Sequence, residues 1–387
     1  LKTKMRQKTI GLLSSRAKSL SNFRGPLIRE WVLIGLKVYA IAPDFDEATR
    51  ASVIALGAIP VDIKMSRAGK NPFGDFCFFV SSVLLFRKLK LDMVFCYFIK
   101  PTTYGMLAAR IARVRQRYAL MAGAGYIYSE SAYNKRGRTL LRWIINVICK
   151  CGLRSADKVF FQNADDLNMF VEQKLVYKHK ARITGGTGVD FTVFKQIQPP
   201  TTPVRFTLVA RLLAAKGIRE YAAAARKVKE KYPNTEFVLL GGLDPNPSAI
   251  TKEEINDWVA GGVLVWPGEV ETVVPWLNKT SVFVLPSYRE GVPRSTQEAA
   301  AIGLPIITCD TIGCRETVID KETGLIVEVK NSDSIANAMM YFIENPTEIL
   351  RMGEASRKYA ESRFDVHKIN KKIIDEMQLG LTLKAEK

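Results

Sequence analysis

The sequence has few residues of the kinds that hold metals or cross-link a fold. Its 387 residues include only two histidines, His179 and His367, and six cysteines without a CxxC pair. This composition excludes a His-rich metal site and the usual Cys/His zinc spacings. It also favours free thiols, which are typical of a reducing cytosol, over a disulfide scaffold.

Long hydrophobic runs are also missing. A helix that crosses a bilayer needs about 20 mostly apolar residues, and stretches without charge, such as Tyr118 to Ser129, are far shorter. The basic start leads into a short strand rather than the long apolar region of a signal peptide. We therefore expect a cytoplasmic chain without a membrane span.

Negative charge is scarce in one half of the chain. Residues 1–200 carry 33 Lys and Arg against 13 Asp and Glu, a net charge of +20, whereas residues 201–387 have a net charge of −1. Such asymmetry indicates an anionic partner for one domain: a membrane surface, a phosphorylated acceptor or nucleic acid. A basic surface that serves only solubility is the simpler alternative.

Both halves alternate short apolar strands with helices, which predicts parallel sheets covered by helices. The expected fold class is α/β, with two doubly wound, Rossmann-like domains that face a cleft. The predicted boundaries are 1–195 for the first domain, 196–204 for a Pro/Thr/Gln linker, 205–355 for the second domain, and 356–387 for C-terminal helices that cross back. In the first half we expect a strand at Thr9 to Ser14, a loop to Gly25, and a helix that begins at Pro26. A Gly-rich segment at 185–190 is expected to be flexible.

Two carboxylates bracket the loop after the predicted strand Val282 to Pro286. Glu290 and Glu298 are separated by seven residues, and an Ala-rich helix follows that closes at Gly303. Carboxylates accept strong hydrogen bonds from sugar hydroxyls, and a helix start offers N–H groups to an anion. This arrangement suits a nucleotide sugar. The alternative is structural, since Ser295 and Glu298 also match a capping box.

A basic loop follows the first strand of the second half. Arg211 and Lys216 can hold a diphosphate, the arginine through its fork and the lysine as a point charge. Gly241 and Gly242 end the next strand, where missing side chains let a ligand approach the backbone.

Together the glutamate pair, the Arg-x4-Lys-Gly loop and the duplicated α/β pattern resemble glycosyltransferase family 4, which contains retaining enzymes of the GT-B fold. The resemblance covers nearly the whole chain and implies catalytic roles for Glu290, Arg211 and Lys216. It implies a donor-binding set of Glu298, Gly291, Val292, Pro293, Arg294, Gly241 and Gly242.

The same resemblance implies a metal-independent reaction with no cofactor and with a UDP-sugar as substrate. Glu290 would contact the transferred sugar and Glu298 the ribose, while Arg211 and Lys216 would neutralise the leaving diphosphate, as a divalent ion does elsewhere. Asp44-Phe45-Asp46 matches the metal-binding Asp-x-Asp of another transferase fold. We interpret it as an ordinary loop.

The N-terminal half resembles a narrower group, the bacterial transferases that extend sugars on undecaprenyl diphosphate. The resemblance lies in residues 15–26, 42–46 and 99–105, and it implies an acceptor site that includes Lys100, Asn22, Arg24 and Gly125. Many family members place a histidine where this chain has Ile99. Lys100 takes over that contact with the donor sugar, binds acceptor phosphate, or is an ordinary surface lysine.

Two segments combine aromatic or aliphatic residues with clustered cations, which suits contact with anionic lipid. The first is Asn71 to Leu91, and the second runs from Lys135 to Ile145. For the first segment a buried helix with a basic end is an equal alternative, and we favour the second as the membrane contact.

The sequence therefore predicts a peripheral enzyme on the inner face of the cytoplasmic membrane. It would move a hexose, N-acetylhexosamine or hexuronic acid from a UDP-sugar to a polyprenyl-diphosphate-linked acceptor. A nucleotide-sugar epimerase or a phosphorylase on the same fold is the alternative. A basic nucleic-acid-binding protein is an alternative of another class, although no recognisable motif supports it.

Overall fold

The computed structural model describes residues 6–65, 72–123, 139–246 and 248–379, and for residues 139–145 it describes the backbone only. The chain divides into two compact units. Unit 1 comprises Leu1–Thr187 and His367–Lys387, and unit 2 comprises Gly188–Val366. Each unit is built on its own parallel sheet, which confirms the predicted α/β class.

Unit 1 contains a parallel sheet in the order β3-β2-β1-β4-β5-β6-β7 among the described residues. Its strands are β1 Thr9–Leu13, β2 Lys37–Ala42, β3 Ile59–Asp62, β4 Met93–Tyr97, β5 Gln116–Met121, β6 Lys158–Phe161 and β7 Ala181–Ile183. Its helices are α1 Ala17–Leu33, α2 Glu47–Ala55, α3 Pro72–Lys88, α4 Met106–Ile111, α5 Thr139–Ser155, α6 Ala164–Glu172 and, after the whole of unit 2, α13 Val366–Glu376. The central strands β1 and β4 are buried throughout, as expected of strands covered on both faces.

The sheet of unit 1 separates two hydrophobic cores. One core contains Phe78 and Phe86 of α3, Met106 of α4 and Leu153 of α5. The opposite core contains Leu27 and Trp31 of α1, Val53 of α2, and Ile369 and Ile373 of α13. Helices α3, α4 and α5 therefore lie on one side of the sheet, and α1, α2 and α13 lie on the other.

The start of α1 differs from the prediction. The helix begins at Ala17, so Pro26 lies inside it rather than at its first turn. The Asp44 carboxylate accepts a hydrogen bond from the Ala17 N–H at 2.7 Å, which satisfies one of the N–H groups exposed at a helix start. Asp46 caps α2 in a reciprocal capping box with Thr49. Both aspartates of the Asp-x-Asp sequence thus have structural duties.

Unit 2 contains a parallel sheet in the order β10-β9-β8-β11-β12-β13 within the described part of the chain. Its strands are β8 Arg205–Val209, β9 Glu236–Leu240, β10 Val265–Gly268, β11 Val282–Leu285, β12 Ile306–Cys309 and β13 Gly324–Val327. Its helices are α7 Ile218–Lys231, α8 Lys252–Ala260, α9 Val274–Leu277, α10 Arg294–Ile302, α11 Ser332–Glu344 and α12 Pro346–Arg363. The strand order reverses at β8, which pairs with β9 on one side and with β11 on the other. Ligands of such sheets bind beside the carboxyl ends of the strands at this switch point.

The division between the units lies in the Gly-rich segment at 185–190, ahead of the predicted linker at 196–204. That linker packs onto unit 2, because the Ile197 N–H donates to the Ile302 carbonyl at 2.9 Å. The chain returns to unit 1 at His367 rather than at residue 356, since α12 packs against α10 of unit 2.

All six cysteines are free thiols. Among the described residues, no helix combines the length and the apolar character that a membrane crossing requires.

Candidate active site

The loop after β8 is fixed against the end of β11. Residues Ala214–Lys216 form a 3-10 turn, and Gly217 follows it in the left-handed region at φ +70°. A Cβ at Gly217 would clash with the Pro286 carbonyl oxygen, so only glycine allows this approach. The Tyr288 N–H donates to the Ala215 carbonyl at 2.9 Å. Lys216 is thereby held over the carboxyl end of the neighbouring strand.

The loop after β11 is fixed from its other side. The Glu290 N–H donates to the Ile312 carbonyl at 2.9 Å. Gly313 has φ +81°, and a Cβ there would clash with the carbonyl oxygens of Glu290 and Gly291. Two glycines on two different loops thus set the backbone around Glu290. This role of Gly313 could not be predicted from the sequence, because only the fold brings residue 313 next to residue 290.

The structure brings Lys216 and Glu290 together. The Lys216 ammonium donates to Oε1 of Glu290, and the two side chains are only 18% and 13% exposed. The pair lies at the switch point, since β8 and β11 are neighbours in the sheet. An ammonium has three N–H donors, so one bond to Glu290 leaves donors for an anionic ligand.

Cys314 lies near this pair without matching the requirements of a nucleophile. Its Sγ is 3.7 Å from the Ser287 carbonyl oxygen. Burial, aided by the Glu290 carboxylate, raises the pKa of the Cys314 thiol to about 11. The thiol is therefore protonated at neutral pH, whereas the thiolate is the reactive form.

The second glutamate does not form the alternative capping box. Helix α10 begins at Arg294 after the N-cap residue Pro293, which has no side-chain cap. Oε1 of Glu298 instead accepts a hydrogen bond from Nε of Arg294 at 2.8 Å, one helical turn away. Burial raises the pKa of Glu298, and the Arg294 guanidinium partly opposes that shift. The interpretation of Glu298 as a helix cap is therefore wrong, and Glu298 is available for another role.

A buried glutamine fixes the turn between the two glutamates. Gln297 is fully buried, and its Nε2 donates to the Val292 carbonyl at 3.0 Å. Its Oε1 accepts a hydrogen bond from the Gly188 N–H at 3.0 Å. Gln297 therefore holds the backbone of Gly291, Val292 and Pro293 in place. Gln297 was not recognised from the sequence, in which a polar amide on the apolar face of an Ala-rich helix is the only sign of this role.

Arg211 lies on the other side of the switch point. Its Nη1 is 3.3 Å from Oδ2 of Asp244, and its side chain is about half exposed. Gly241 directly follows β9, and its N–H donates to the Gly268 carbonyl while its carbonyl accepts from Nε1 of Trp266, both at 2.9 Å, which ties it to β10. The Gly242 carbonyl accepts from the Leu212 N–H at 3.4 Å. This bond and the Arg211–Asp244 pair join the loops after β8 and β9.

The predicted acceptor residues are dispersed through unit 1. Lys100 follows β4, and its Nζ lies 2.7 Å from Oδ1 of Asp75 on α3. The Tyr104 hydroxyl lies 3.4 Å from the other oxygen of Asp75, and burial together with that carboxylate raises the pKa of Tyr104 to about 12. Between β4 and this cluster, Phe98 adopts φ +72° and Pro101–Gly105 form a π-helical turn. Both features are enriched at functional sites.

The other acceptor candidates occupy different environments. Asn22 is exposed on α1. Arg24 is only 2% exposed, and its guanidinium lies 5.5 Å from the centre of the Tyr97 ring. Arg24 is thus an interior residue of unit 1, and its role in acceptor binding stays a prediction. Gly125 lies outside the described residues.

The fold matches solved structures over almost the full chain. Sucrose-phosphate synthase from Thermosynechococcus elongatus superimposes with a TM-score of 0.77 at 17% identity, covering 98% of this chain and 100% of the other. Anabaena Alr3699/HepE, solved in complex with UDP, gives a TM-score of 0.75 at 15% identity, with coverage of 96% and 100%. The chain therefore has the GT-B fold.

Sequence relatives define the class further. A transferase from Campylobacter jejuni, the N,N'-diacetylbacillosaminyl-diphospho-undecaprenol alpha-1,3-N-acetylgalactosaminyltransferase, is 29% identical over 87% of this chain and 89% of its own length. The UDP-Gal:alpha-D-GlcNAc-diphosphoundecaprenol alpha-1,3-galactosyltransferase of Escherichia coli is 26% identical over 67% of this chain and 68% of its own. The chain is a glycosyltransferase.

Residues 190–359 match the family model of glycosyl transferases group 1 and form a domain of that family. The matched range includes Lys216, Glu290, Gln297 and Glu298. The predicted catalytic and donor-binding residues therefore lie within the matched domain, whereas the acceptor candidates lie outside it.

Proposed function

We propose that this chain moves a sugar from a UDP-sugar to a sugar carried on polyprenyl diphosphate, in the assembly of a bacterial surface or glycoprotein glycan. The observation that carries the proposal is the Lys216–Glu290 pair at the switch point of the group 1 domain. The names of both relatives, which specify diphospho-undecaprenol acceptors, support the acceptor class. A UDP complex of a similar fold supports the donor class.

The donor would lie at the carboxyl ends of β8 and β11. Lys216 and Arg211 would face its diphosphate, and Glu290 would accept hydrogen bonds from hydroxyls of the transferred sugar. Glu298, which is mostly buried, would bind the ribose, and the backbone at Gly291 to Arg294 would meet the phosphates at the start of α10. The sugar remains a hexose, an N-acetylhexosamine or a hexuronic acid.

The reaction would proceed with retention by front-face substitution. The bond between the anomeric carbon and the β-phosphate oxygen breaks, and a bond to the acceptor hydroxyl oxygen forms on the same face. The proton of that hydroxyl passes to the departing phosphate. Lys216 stabilises the charge that develops on the phosphate, so the reaction needs no divalent ion for that purpose.

An acceptor that lies in a membrane would explain the net charge of +20 in residues 1–200. A polyprenyl chain keeps the acceptor in the cytoplasmic membrane, so the enzyme would work as a peripheral protein on its inner face. Anionic lipids attract basic surfaces at about 1 kcal/mol per Lys or Arg near the membrane. We expect no nucleic-acid partner.

The test is a donor and acceptor screen with the purified full chain. UDP-hexoses, UDP-N-acetylhexosamines and UDP-hexuronic acids are each incubated with undecaprenyl-diphosphate-linked sugars. UDP release and product mass report transfer, and NMR of the product reports the anomeric configuration. Conversion of a UDP-sugar without acceptor would instead indicate an epimerase, and phosphate-dependent cleavage of a glycan would indicate a phosphorylase.

A further inference from the structure

Helix α3 is apolar on the side that faces away from the unit 1 core. Phe76 and Leu84 are 60% and 61% exposed, Val80 is also exposed, and Phe73 near the helix start is exposed as well. These four side chains recur at intervals of three or four residues, which places them in one stripe along the helix. The inward side is apolar too, with Phe78 and Phe86 buried in the core.

Such a helix differs from an ordinary surface helix, which presents polar residues to water. Exposed apolar patches of this kind mark surfaces that bind proteins or membranes. We call the stripe formed by Phe73, Phe76, Val80 and Leu84 the α3 face.

The charges around the α3 face indicate what it binds. Its C-terminal end carries Arg87 and Lys88, both exposed, and neighbouring α4 contributes exposed Arg110 and Ile111. Nη2 of Arg87 donates to the Ile111 carbonyl at 3.1 Å, so this basic and apolar group is contiguous. Apolar side chains bordered by cations fit the interface of an anionic bilayer.

The one acidic residue of α3 does not oppose this charge. Asp75 is turned inward and forms its ion pair with Lys100. The outward side of α3 therefore carries no negative charge that would repel anionic lipid headgroups.

We infer that the α3 face inserts into the headgroup region of an anionic membrane and thereby places Lys100 beside the diphosphate of the lipid-linked acceptor. The inference rests on the proposed function, because it assumes that the acceptor is a sugar on a polyprenyl diphosphate held in the membrane. A polyprenyl diphosphate holds its charged group at the membrane interface. Asp75, in the first turn of α3, accepts a hydrogen bond from Lys100. The residue that would bind the diphosphate is therefore linked directly to the helix that would contact the bilayer.

This assignment differs from the sequence-based preference for the segment from Lys135 to Ile145. The backbone of residues 139–145 belongs to α5, while Lys135, Arg136 and Arg138 and the side chain of Arg142 lie outside the described part of the chain. The α3 face lies in the other segment, Asn71 to Leu91, and its four apolar side chains are exposed.

The first experiment measures co-sedimentation of the full chain with vesicles of phosphatidylcholine and phosphatidylglycerol in equal amounts. The double variant Phe76→Ser/Leu84→Ser should lower the vesicle partition coefficient by roughly tenfold or more, because two large apolar side chains no longer enter the bilayer. The matched control is Leu33→Ser/Ile54→Ser, two similarly exposed residues of α1 and α2 on the opposite side of the sheet. It should bind as the unaltered chain does.

The second experiment separates charge from apolar contact. Arg87→Gln/Lys88→Gln should weaken binding to the anionic vesicles by about fivefold per removed charge, and should have little effect with pure phosphatidylcholine. The control with equal charge loss is Lys371→Gln/Lys372→Gln on α13, across the sheet from α3. Equal losses in both variants would overturn the assignment, since binding would then depend on net charge rather than on this face.

Turnover distinguishes this inference from the proposed function. The Phe76→Ser/Leu84→Ser variant should raise KM for an undecaprenyl-linked acceptor in vesicles, and should keep its rate with a short-chain, water-soluble acceptor. If the unaltered chain transfers to neither acceptor, the proposed function fails, while vesicle binding still decides the role of the α3 face. Unchanged vesicle binding by the variant overturns the inference even if transfer is normal.

The alternative is that the α3 face binds a second copy of the chain. Sedimentation velocity without vesicles tests it. A dimer that Phe76→Ser/Leu84→Ser converts to monomer, with vesicle binding unchanged, would show that the face joins two copies and would overturn the membrane assignment. Circular dichroism and thermal unfolding confirm that the variants are folded, as expected for exposed positions.

Discussion

Lys216 and Glu290 form a mostly buried ion pair that joins the loops of two neighbouring strands. Removing one partner of such a pair leaves the other charge without its counterpart in a partly desolvated site, which is more costly than losing an exposed pair. The pair therefore positions both side chains before any ligand arrives. It links two residues that are 74 positions apart in the sequence.

Lys216→Ala should lower kcat by roughly 10²–10³-fold, because it removes the charge that we propose stabilises the departing phosphate. Glu290→Ala should lower kcat/KM for the donor through the loss of its sugar contact. UDP release under saturating acceptor measures both effects. Lys227→Ala is the control, since Lys227 is an exposed lysine that pairs with Asp333 on α11. Normal turnover by Lys216→Ala would contradict the site assignment.

Glu298→Gln should weaken donor binding and make the folded chain more stable. Because burial raises the pKa of Glu298, the folded chain holds a proton at pH values where the unfolded chain has released it. Stability due to this group is therefore present at low pH and is lost as pH rises through the folded pKa. Urea unfolding should show Glu298→Gln gaining stability relative to the unaltered chain between about pH 4 and neutral pH.

The control for Glu298 is Glu354→Gln, which should behave in the opposite way. The Lys358 ammonium lowers the pKa of Glu354, so that carboxylate contributes stability above its unfolded pKa. Donor binding supplies the second measurement. Glu298→Gln should raise the Kd for UDP roughly tenfold, because hydrogen bonds to charged groups are stronger than neutral ones. An unchanged Kd would remove Glu298 from the ribose site.

Gly313→Ala should disturb the site more than the fold. The new methyl group meets the carbonyl oxygens of Glu290 and Gly291, so the Glu290 loop must move. Gly262→Ala is the matched control, since Gly262 also has positive φ but has no atom near its Cβ position. Both variants should lose about 1–2 kcal/mol of stability from left-handed backbone. Only Gly313→Ala should lose donor affinity and kcat, and equal activities would contradict the role given to Gly313.

Transfer should survive removal of divalent ions. In the proposed mechanism Lys216 and Arg211 would supply positive charge at the diphosphate, as a metal ion does in other transferases. UDP release with excess EDTA, compared with added magnesium or manganese, measures this. A loss of activity that metal restores would show that the two cations are insufficient.

Lys100→Gln should raise KM for the lipid-linked acceptor and leave the Kd for UDP unchanged, since Lys100 belongs to unit 1 and the donor residues belong to unit 2. Lys37→Gln is the control. Lys37 is exposed at the amino end of β2, whereas Lys100 follows the carboxyl end of β4, so the two lysines lie at opposite ends of the parallel strands. A weaker UDP affinity in Lys100→Gln would instead indicate that Lys100 contacts the donor, in place of the histidine that related enzymes have.

The central strands could be predicted from the sequence, whereas three of the four edge strands of the described sheets could not. Strands β1 and β11, expected at Thr9 to Ser14 and Val282 to Pro286, lie at Thr9–Leu13 and Val282–Leu285, and all their residues are buried. The missed strands β3, β7 and β13 lie at sheet edges and have three or four residues each. Their burial is incomplete, so their hydrophobic pattern is weak.

Long-range contacts explain the remaining differences. The start of α1 depends on the Asp44 carboxylate, 27 residues away, which no local pattern reveals. Likewise, Ser295 and Glu298 match a capping box in spacing, but the turn held by Gln297 makes Pro293 the N-cap. Lys216 and Glu290 could be named as candidates from the sequence, but Gln297 and Gly313 could not. The pairing of Lys216 with Glu290 could not be predicted either, because it follows from the adjacency of β8 and β11 in the sheet.

Unit 1 is discontinuous in the chain, because α13 completes its second core after unit 2 has been traversed. Ile369, Ile373 and Met377 are buried there beside Trp31 and Phe95, and the Tyr118 hydroxyl donates to the Met377 carbonyl at 3.1 Å. During synthesis unit 2 therefore has all its residues before unit 1 does. Unit 1 thus begins to leave the ribosome first but completes its second core last. Until α13 has been made, the apolar sheet face that it covers is exposed and can be bound by chaperones.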